Sequence, residues 1–280
     1  MVQLPIGLQL YSVRDDLAAD FAGTLEKVKE MGYDGVEFAG LCGNSPAAVK
    51  ELCQQIGLVP LSAHVPLEEM IADPEGTVSA YCELGCKQIV IPYLTEKYRP
   101  GAEEFSTLIA WAKKLGALCK ERGMRLAYHN HNFEFAKIGE NYLLDILYQE
   151  VPAESLEVQL DTCWAFVGGE DPVKYLKKYA GRQYTVHLKD FWVRPDAVKG
   201  HQAEKLYQLI GIDDGEQVEA EEGQDFCLRP VGYGVQNIPN IIRAAEESGA
   251  KWLIVEQDNP SMGKTPLQCA ELSIQYLKQL

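Results

Sequence analysis

Short apolar runs alternate along this chain with longer stretches in which apolar residues recur every three or four positions. The short runs have the length of buried strands and the long ones that of amphipathic helices. A strand is expected over 6–11, then a helix over 21–31, with Leu25, Val28 and Met31 on one face and Gly32 as its stop. A second strand covers 35–38. Ser45 caps a helix with Pro46 at its first position, running to Ile56 and ending at Gly57. A third strand over 58–64 precedes a helix of about 74–84, and a fourth over 88–92 precedes one of about 102–122. The central strand, 124–130, leads to a helix near 142–149. A sixth strand over 156–161 leads to a helix over 171–179, and a seventh covers 184–188. Last come a helix over 238–247, a strand over 252–256 and a helix over 266–280.

Eight strands alternating with eight helices over 280 residues imply parallel strands joined by helical crossovers. Eight such units close into a (β/α)8 TIM barrel, whose usual size is about 250 residues. A doubly wound sheet is the alternative, but Leu10-Tyr11-Ser12-Val13-Arg14 stands where its glycine-rich turn would follow the first strand. A single domain over 1–280 is expected. It is interrupted by an irregular insertion of about 191–236 that carries an acidic run over 213–225 and no clear strand. Leaving the seventh strand, this insertion is either a solvated excursion or a lid over the barrel mouth.

A polar cluster breaks the apolar pattern at the end of the central strand: Tyr128-His129-Asn130-His131-Asn132-Phe133-Glu134-Phe135. Burying two histidines, two amides and a carboxylate is costly unless they have a task. Side chains alternate along a strand, so His129 and His131 share one side. The other strand ends carry Glu37, His64, Asp161, His187 with Lys189 and Asp190, and Glu256, so four of the five histidines fall where a barrel of this kind places its site.

Charge excludes one class of partner. With 26 basic and 41 acidic residues the net charge is −15, so a nucleic acid would be repelled and a divalent cation attracted. There is no long uncharged apolar stretch, and the start lacks the pattern of a signal peptide, so a soluble cytoplasmic protein with no membrane partner is expected. The eight cysteines contain no Cys-x-x-Cys pair and read as reduced core thiols. Carboxylate and imidazole without thiolate select a hard to borderline ion, Mn2+ first, with Mg2+, Co2+ or Zn2+ as alternatives. Asp161, His187 and Glu256 hold the cleanest ligand positions, and a fourth ligand is expected from the central stretch.

Gly7-Leu8-Gln9-Leu10-Tyr11-Ser12, Gly35-Val36-Glu37, Ala63-His64, the central cluster, Leu160-Asp161-Thr162, His187-Leu188-Lys189-Asp190, Gly232-Tyr233-Gly234 and Val255-Glu256 span nearly the whole chain. In these segments it resembles the sugar phosphate isomerase/epimerase group of the xylose isomerase-like barrels, which includes ketose 3-epimerases and inosose dehydratases. The resemblance implies a Glu, Asp, His, Glu metal set and proton exchange by the two glutamates. Asp161, His187 and Glu256 carry over directly. The first glutamate does not: His129 occupies its place, so either Glu134, five residues on, reaches back to the metal or a histidine replaces that ligand. Trp164 stands where the epimerases often have a substrate-binding histidine. The resemblance also implies a possible homo-oligomer.

The chemistry these residues suit is proton abstraction next to a carbonyl through a metal-stabilised enediolate. Glu256 with Glu134 or His131 is the expected proton-transfer pair, and Glu134, Asp161, His187 and Glu256 the expected metal set. Glu37, His64, His129, Trp164 and Lys189 are expected to bind the substrate. Lys189 is equally suited to an ion pair with a site carboxylate, and two glycines around Tyr233 do not require a phosphorylated substrate. Three readings follow. The first is an isomerase or epimerase of a sugar, keto-sugar or cyclitol, the second a dehydratase or 3-keto-glycoside lyase using the same site, and the third a carbohydrate-binding barrel without catalysis.

Overall fold

The structure, a computed structural model, describes residues 2–193 and 226–280. Eight parallel strands close into a barrel: β1 (Ile6–Gln9), β2 (Gly35–Phe38), β3 (Val59–His64), β4 (Gln88–Ile91), β5 (Arg125–His129), β6 (Glu157–Asp161), β7 (Gln183–Leu188) and β8 (Trp252–Val255). They lie in chain order around the barrel, with β8 returning beside β1. Helices wrap the outside, and their ends follow local chemistry. Asp20, Ser45 and Asp73 cap helix starts, Gly32, Gly57 and Gly85 stop helices in the left-handed region, and Thr265 with Gln268 forms a capping box.

Alternation along the strands sorts the side chains into two environments. Leu8, Val36, Ala63, Ile89, Leu126, Val158, Val186 and Leu253 pack outward into the hydrophobic core between barrel and helices. The intervening positions hold Gln9, Glu37, Ser62, Gln88, Gln159 and Thr185, all buried and polar. The barrel interior therefore carries a hydrogen-bonded layer beneath the mouth, beside the apolar Val90, Ala127 and Ile254, where branched aliphatic layers are common in this architecture.

Three features depart from the sequence expectation. The first strand stops at Gln9, because its side chain accepts from the Tyr11 N–H and starts a 3-10 turn over Leu10–Val13. Short helices over Arg14–Ala19, Leu67–Ala72 and Thr162–Val167 add to the alternation. The insertion does contain strands: Asp190–Val193 pairs antiparallel with Phe226–Arg229. Phe191, Val193, Phe226 and Leu228 pack with Cys163, Trp164 and Val167 in a second hydrophobic cluster. Two four-residue strands separated by so long a stretch have no local turn signal, which is why they escape a pattern reading. The acidic run over 213–225 and the lid expectation lie outside the described residues.

Gly116, in the helix Phe105–Glu121, packs directly against neighbouring backbone. A Cβ there would stand 2.1 Å from the Ser155 carbonyl oxygen. Glycine to alanine in a helix interior normally stabilises by ~1 kcal/mol, whereas here the added methyl group has no room. Gly116→Ala is therefore expected to lower stability by ~1–3 kcal/mol, the cost of overpacking. Urea denaturation checks it, and a raised midpoint would contradict this packing.

Candidate metal and substrate site

The site is assembled from the last residues of five strands and the segments just beyond them. His129, Asp161, His187 and Glu256 each offer a ligand atom, and these atoms lie within 4.8 Å of one another in a buried cluster. Asp161 caps the helix Thr162–Val167, where its Oδ1 accepts from the Trp164 N–H at 2.8 Å. Its Oδ2 is buried without a hydrogen-bond partner and lies 3.7 Å from His129 Nε2. A buried carboxylate oxygen without a hydrogen bond, with only the Lys189 ammonium at 3.5 Å, leaves room for a cation, and two imidazoles with two carboxylates are a donor set for a borderline divalent ion. The residues fit such an ion.

His187 joins two carboxylates, with Nδ1 2.8 Å from Glu256 Oε2 and Nε2 2.7 Å from Glu37 Oε1. Burial lowers its pKa, but the two carboxylates outweigh burial and push it up to about 10. Burial raises Glu256, and the charges of Lys189 and His187 more than reverse that, holding it well below the usual carboxylate range. Asp161 is lifted by burial to about 6, against the pull of Lys189. His129 is kept neutral by burial and by His187.

Lys189 is fully buried. Its ammonium lies 3.0 Å from Asp258 Oδ2, 3.1 Å from Glu256 Oε2 and 3.5 Å from Asp161 Oδ2, and 5.2 Å from the Trp164 ring centre. The carboxylates overcome the penalty of burial and keep it charged. Asp258, two residues past Glu256, was not singled out from sequence, although its spacing places it on the same side at the end of β8. A cavity of about 1240 Å3 opens above these residues, lined among others by His64, His129, His131, Trp164, Lys189, Glu256 and Asp258. His131 stands between Phe133 and Trp164, with near-parallel rings at 6.1 and 5.8 Å, and burial lowers its pKa to about 3.

Two expected residues are placed elsewhere. Glu134 does not join the metal cluster, because the 3-10 turn Phe133–Phe135 folds it back onto its own strand. One of its oxygens accepts from the Tyr128 hydroxyl and the other from the His131 N–H at 2.8 Å. Burial still lifts its pKa to about 8. Of the two residues the sequence left open, His129 is the one in the four-residue cluster. Glu37 is not at the mouth either: it lies fully buried below it and accepts from Gln9, Ser62 and Gln159 as well as His187. His64 lines the cavity but turns Nε2 inward, 2.7 Å from Gln159 Oε1 and 3.0 Å from Glu37 Oε1.

Asp190 has a local task. Its carboxylate accepts from the backbone N–H groups of Phe191, Gly232, Gly234 and Gln236. The Gly232-Tyr233-Gly234 segment thus spends two N–H groups on a protein carboxylate and the third on the Pro230 carbonyl, and cannot cradle a phosphate with them.

A sequence model of the family described as "Xylose isomerase-like TIM barrel" matches residues 25–280. The chain is similar to the inosose dehydratase of Clostridium botulinum (strain Alaska E43 / Type E3), with 31% identity over 193 residues, which is 69% of this chain and 60% of that relative. The chain thus matches less than two thirds of that relative's length. In structure it is similar to a sugar phosphate isomerase/epimerase from Parabacteroides distasonis ATCC 8503, at TM-score 0.75 and 23% identity, covering 99% of this chain and 98% of that one. A xylose isomerase-like TIM barrel protein from Mycobacterium smegmatis in complex with magnesium superposes at TM-score 0.67 and 16% identity, covering 99% and 96% of the two chains. At these identities the structural likeness is one of fold.

The raised groups make the metal-free protein sensitive to alkali. His187 rises from 6.5 to about 10 on folding, so its contribution is full below pH 6.5 and is lost as pH climbs through 10. Glu134, raised from 4.5 to about 8, loses its contribution in the same direction over a lower window. The urea midpoint of chelator-treated protein should therefore fall between pH 7 and pH 10. His187→Gln should flatten the upper part of that fall; an equal slope in both proteins would refute this account of His187.

Proposed function

Because this chain belongs to the xylose isomerase-like TIM barrel family, we propose that it is a divalent-metal-dependent enzyme that removes a proton next to a carbonyl of a keto-sugar or cyclitol. The observation that carries this reading is the buried convergence of His129, Asp161, His187 and Glu256 beneath the cavity. A divalent ion held there would draw electron density from a carbonyl and its neighbouring hydroxyl and so make the adjacent C–H acidic. Magnesium and manganese suit the two carboxylates, and the two imidazoles extend the range toward cobalt and zinc.

Glu256 reaches the cavity with its carboxylate held ionised, so it is the group that takes the proton. Lys189, 3.1 Å from Glu256 Oε2 and also at the cavity wall, holds the neighbouring substrate oxygen. Trp164 and His131 form the aromatic side of the cavity, where a ring can lie against them. Epimerisation by a pair of glutamates on opposite faces does not suit this site, because Glu134 is tied to Tyr128 and the His131 N–H and lies off the cavity lining. Dehydration is thus the favoured outcome: the proton leaves to Glu256 and a hydroxyl two bonds away departs as water with a proton from the site. The similarity to inosose dehydratases supports that reading. Isomerisation remains the second reading, supported by His131 at the cavity wall as a second proton carrier.

Gently purified protein should carry about one equivalent of a divalent ion, and Asp161→Ala should lose it; elemental analysis of the two checks this, and equal metal content in both would sink the metal assignment. Glu256→Gln should lower turnover at least ~100-fold, within the range for a positioned acid–base group. With a panel of keto-sugars and inososes in D2O, dehydration gives an unsaturated product, while isomerisation gives deuterium in recovered substrate. If the metal-loaded protein does neither, the catalytic reading fails.

A further inference from the structure

Glu37 and Gln159 form a connected pair below the metal ligands, in the barrel interior. Gln159 is fully buried, and its Nε2 donates to Glu37 Oε2 and to Thr185 Oγ1, each at 2.8 Å. A carboxylate only accepts, so Glu37 fixes which end of this amide faces it, and the carbonyl Oε1 must face the other way. There it meets His64 Nε2 at 2.7 Å and His129 Nδ1 at 3.1 Å. A carbonyl oxygen also only accepts, so His129 carries its hydrogen on Nδ1 and turns a bare Nε2 toward Asp161 and Glu256, 3.7 and 4.0 Å away. The other oxygen of Glu37 accepts from His187 Nε2, which leaves Nδ1 of that ring on the ligand side, beside Glu256.

We propose that Glu37, directly and through the Gln159 amide, sets which ring nitrogen each histidine turns to one divalent ion: Nε2 of His129, bare in its tautomer, and Nδ1 of His187, which gives up its proton to the incoming ion while Nε2 stays on Glu37. Glu37 and Gln159 are positioning residues: neither touches the cavity, and both act through the rings above them. The register irregularities of the barrel fall beside them, between Val36 and Glu37 in β2 and between Val158 and Leu160 in β6. Such irregularities re-aim side chains near functional sites. Partners of this kind outside the ligand set typically account for ~10–100-fold in metal affinity. The inference rests on the metal-site reading but not on the reaction assigned to it.

The test is nitrogen NMR of metal-free protein labelled with 15N-histidine, together with zinc affinity by chelator competition. Wild-type His129 should be protonated on Nδ1 and bare on Nε2. Gln159→Met keeps the bulk and removes the amide; it should shift His129 to the Nε2-protonated form that free imidazoles of histidine favour, and weaken zinc binding ~10–100-fold. Protonation of wild-type His129 on Nε2 overturns the proposal even if the variant does not fold. So does a Gln159→Met protein with unchanged tautomer and zinc affinity, whether or not its urea midpoint falls, because Gln159 would then only fill the barrel. A protein that passes both measurements yet turns over no keto-sugar or inosose refutes the proposed reaction and leaves this arrangement standing.

Discussion

Buried negative charge is the constraint on which this barrel depends. Glu37, Asp161 and Glu256 converge within the interior and its rim, with Asp258 beside them. Carboxylates out of water are tolerated only when paired or bound to a cation. Lys189 answers part of the charge by touching three of them, and His187 answers another part between Glu37 and Glu256. What is left over faces the Asp161 Oδ2 atom, which has no hydrogen-bond partner. The same imbalance makes the interior polar, since each charged group needs neighbours that donate, and Gln9, Ser62 and Gln159 supply them to Glu37.

Much of the architecture was legible because it is written in local periodicity. Gly, Pro and Ser at helix ends and apolar runs of strand length locate the eight units, and strand ends then locate Asp161, His187 and Glu256 without knowledge of contacts. The roles of the residues between them are another matter. Gln159 sits two positions before Asp161 and reads as one polar residue in a strand; only closure of the barrel brings it against Glu37, His64 and His129. A clue was present, since parallel strands buried on both faces are usually continuous apolar runs, and glutamines recurring inside them at Gln9, Gln88 and Gln159 break that habit.

The exchange of Glu134 for His129 has a similar origin. Sequence spacing places both near the mouth, and preference for a carboxylate ligand favours Glu134. The 3-10 turn after β5 decides otherwise by offering Glu134 the Tyr128 hydroxyl and the His131 N–H. Asp190 shows the same principle at the start of the antiparallel strand pair. A carboxylate near a buried histidine of the cluster suggests chemistry, yet its oxygens are spent on four backbone N–H groups. A residue type announces what a side chain is able to do, and the donors within its reach determine which of those things it does.

The two-sided sorting of the strands also bears on how this chain tolerates change. Helix-facing positions such as Val158 and Val186 belong to a core that accepts any apolar shape of similar volume. The interior positions next to them form a closed set of donors and acceptors, in which an aliphatic replacement leaves its former partners stranded. Neighbouring residues of one strand thus answer to different kinds of selection, one for size and one for hydrogen-bonding valence. Drift on the inner side must proceed by paired substitutions across the barrel, whereas on the outer side it can proceed one residue at a time.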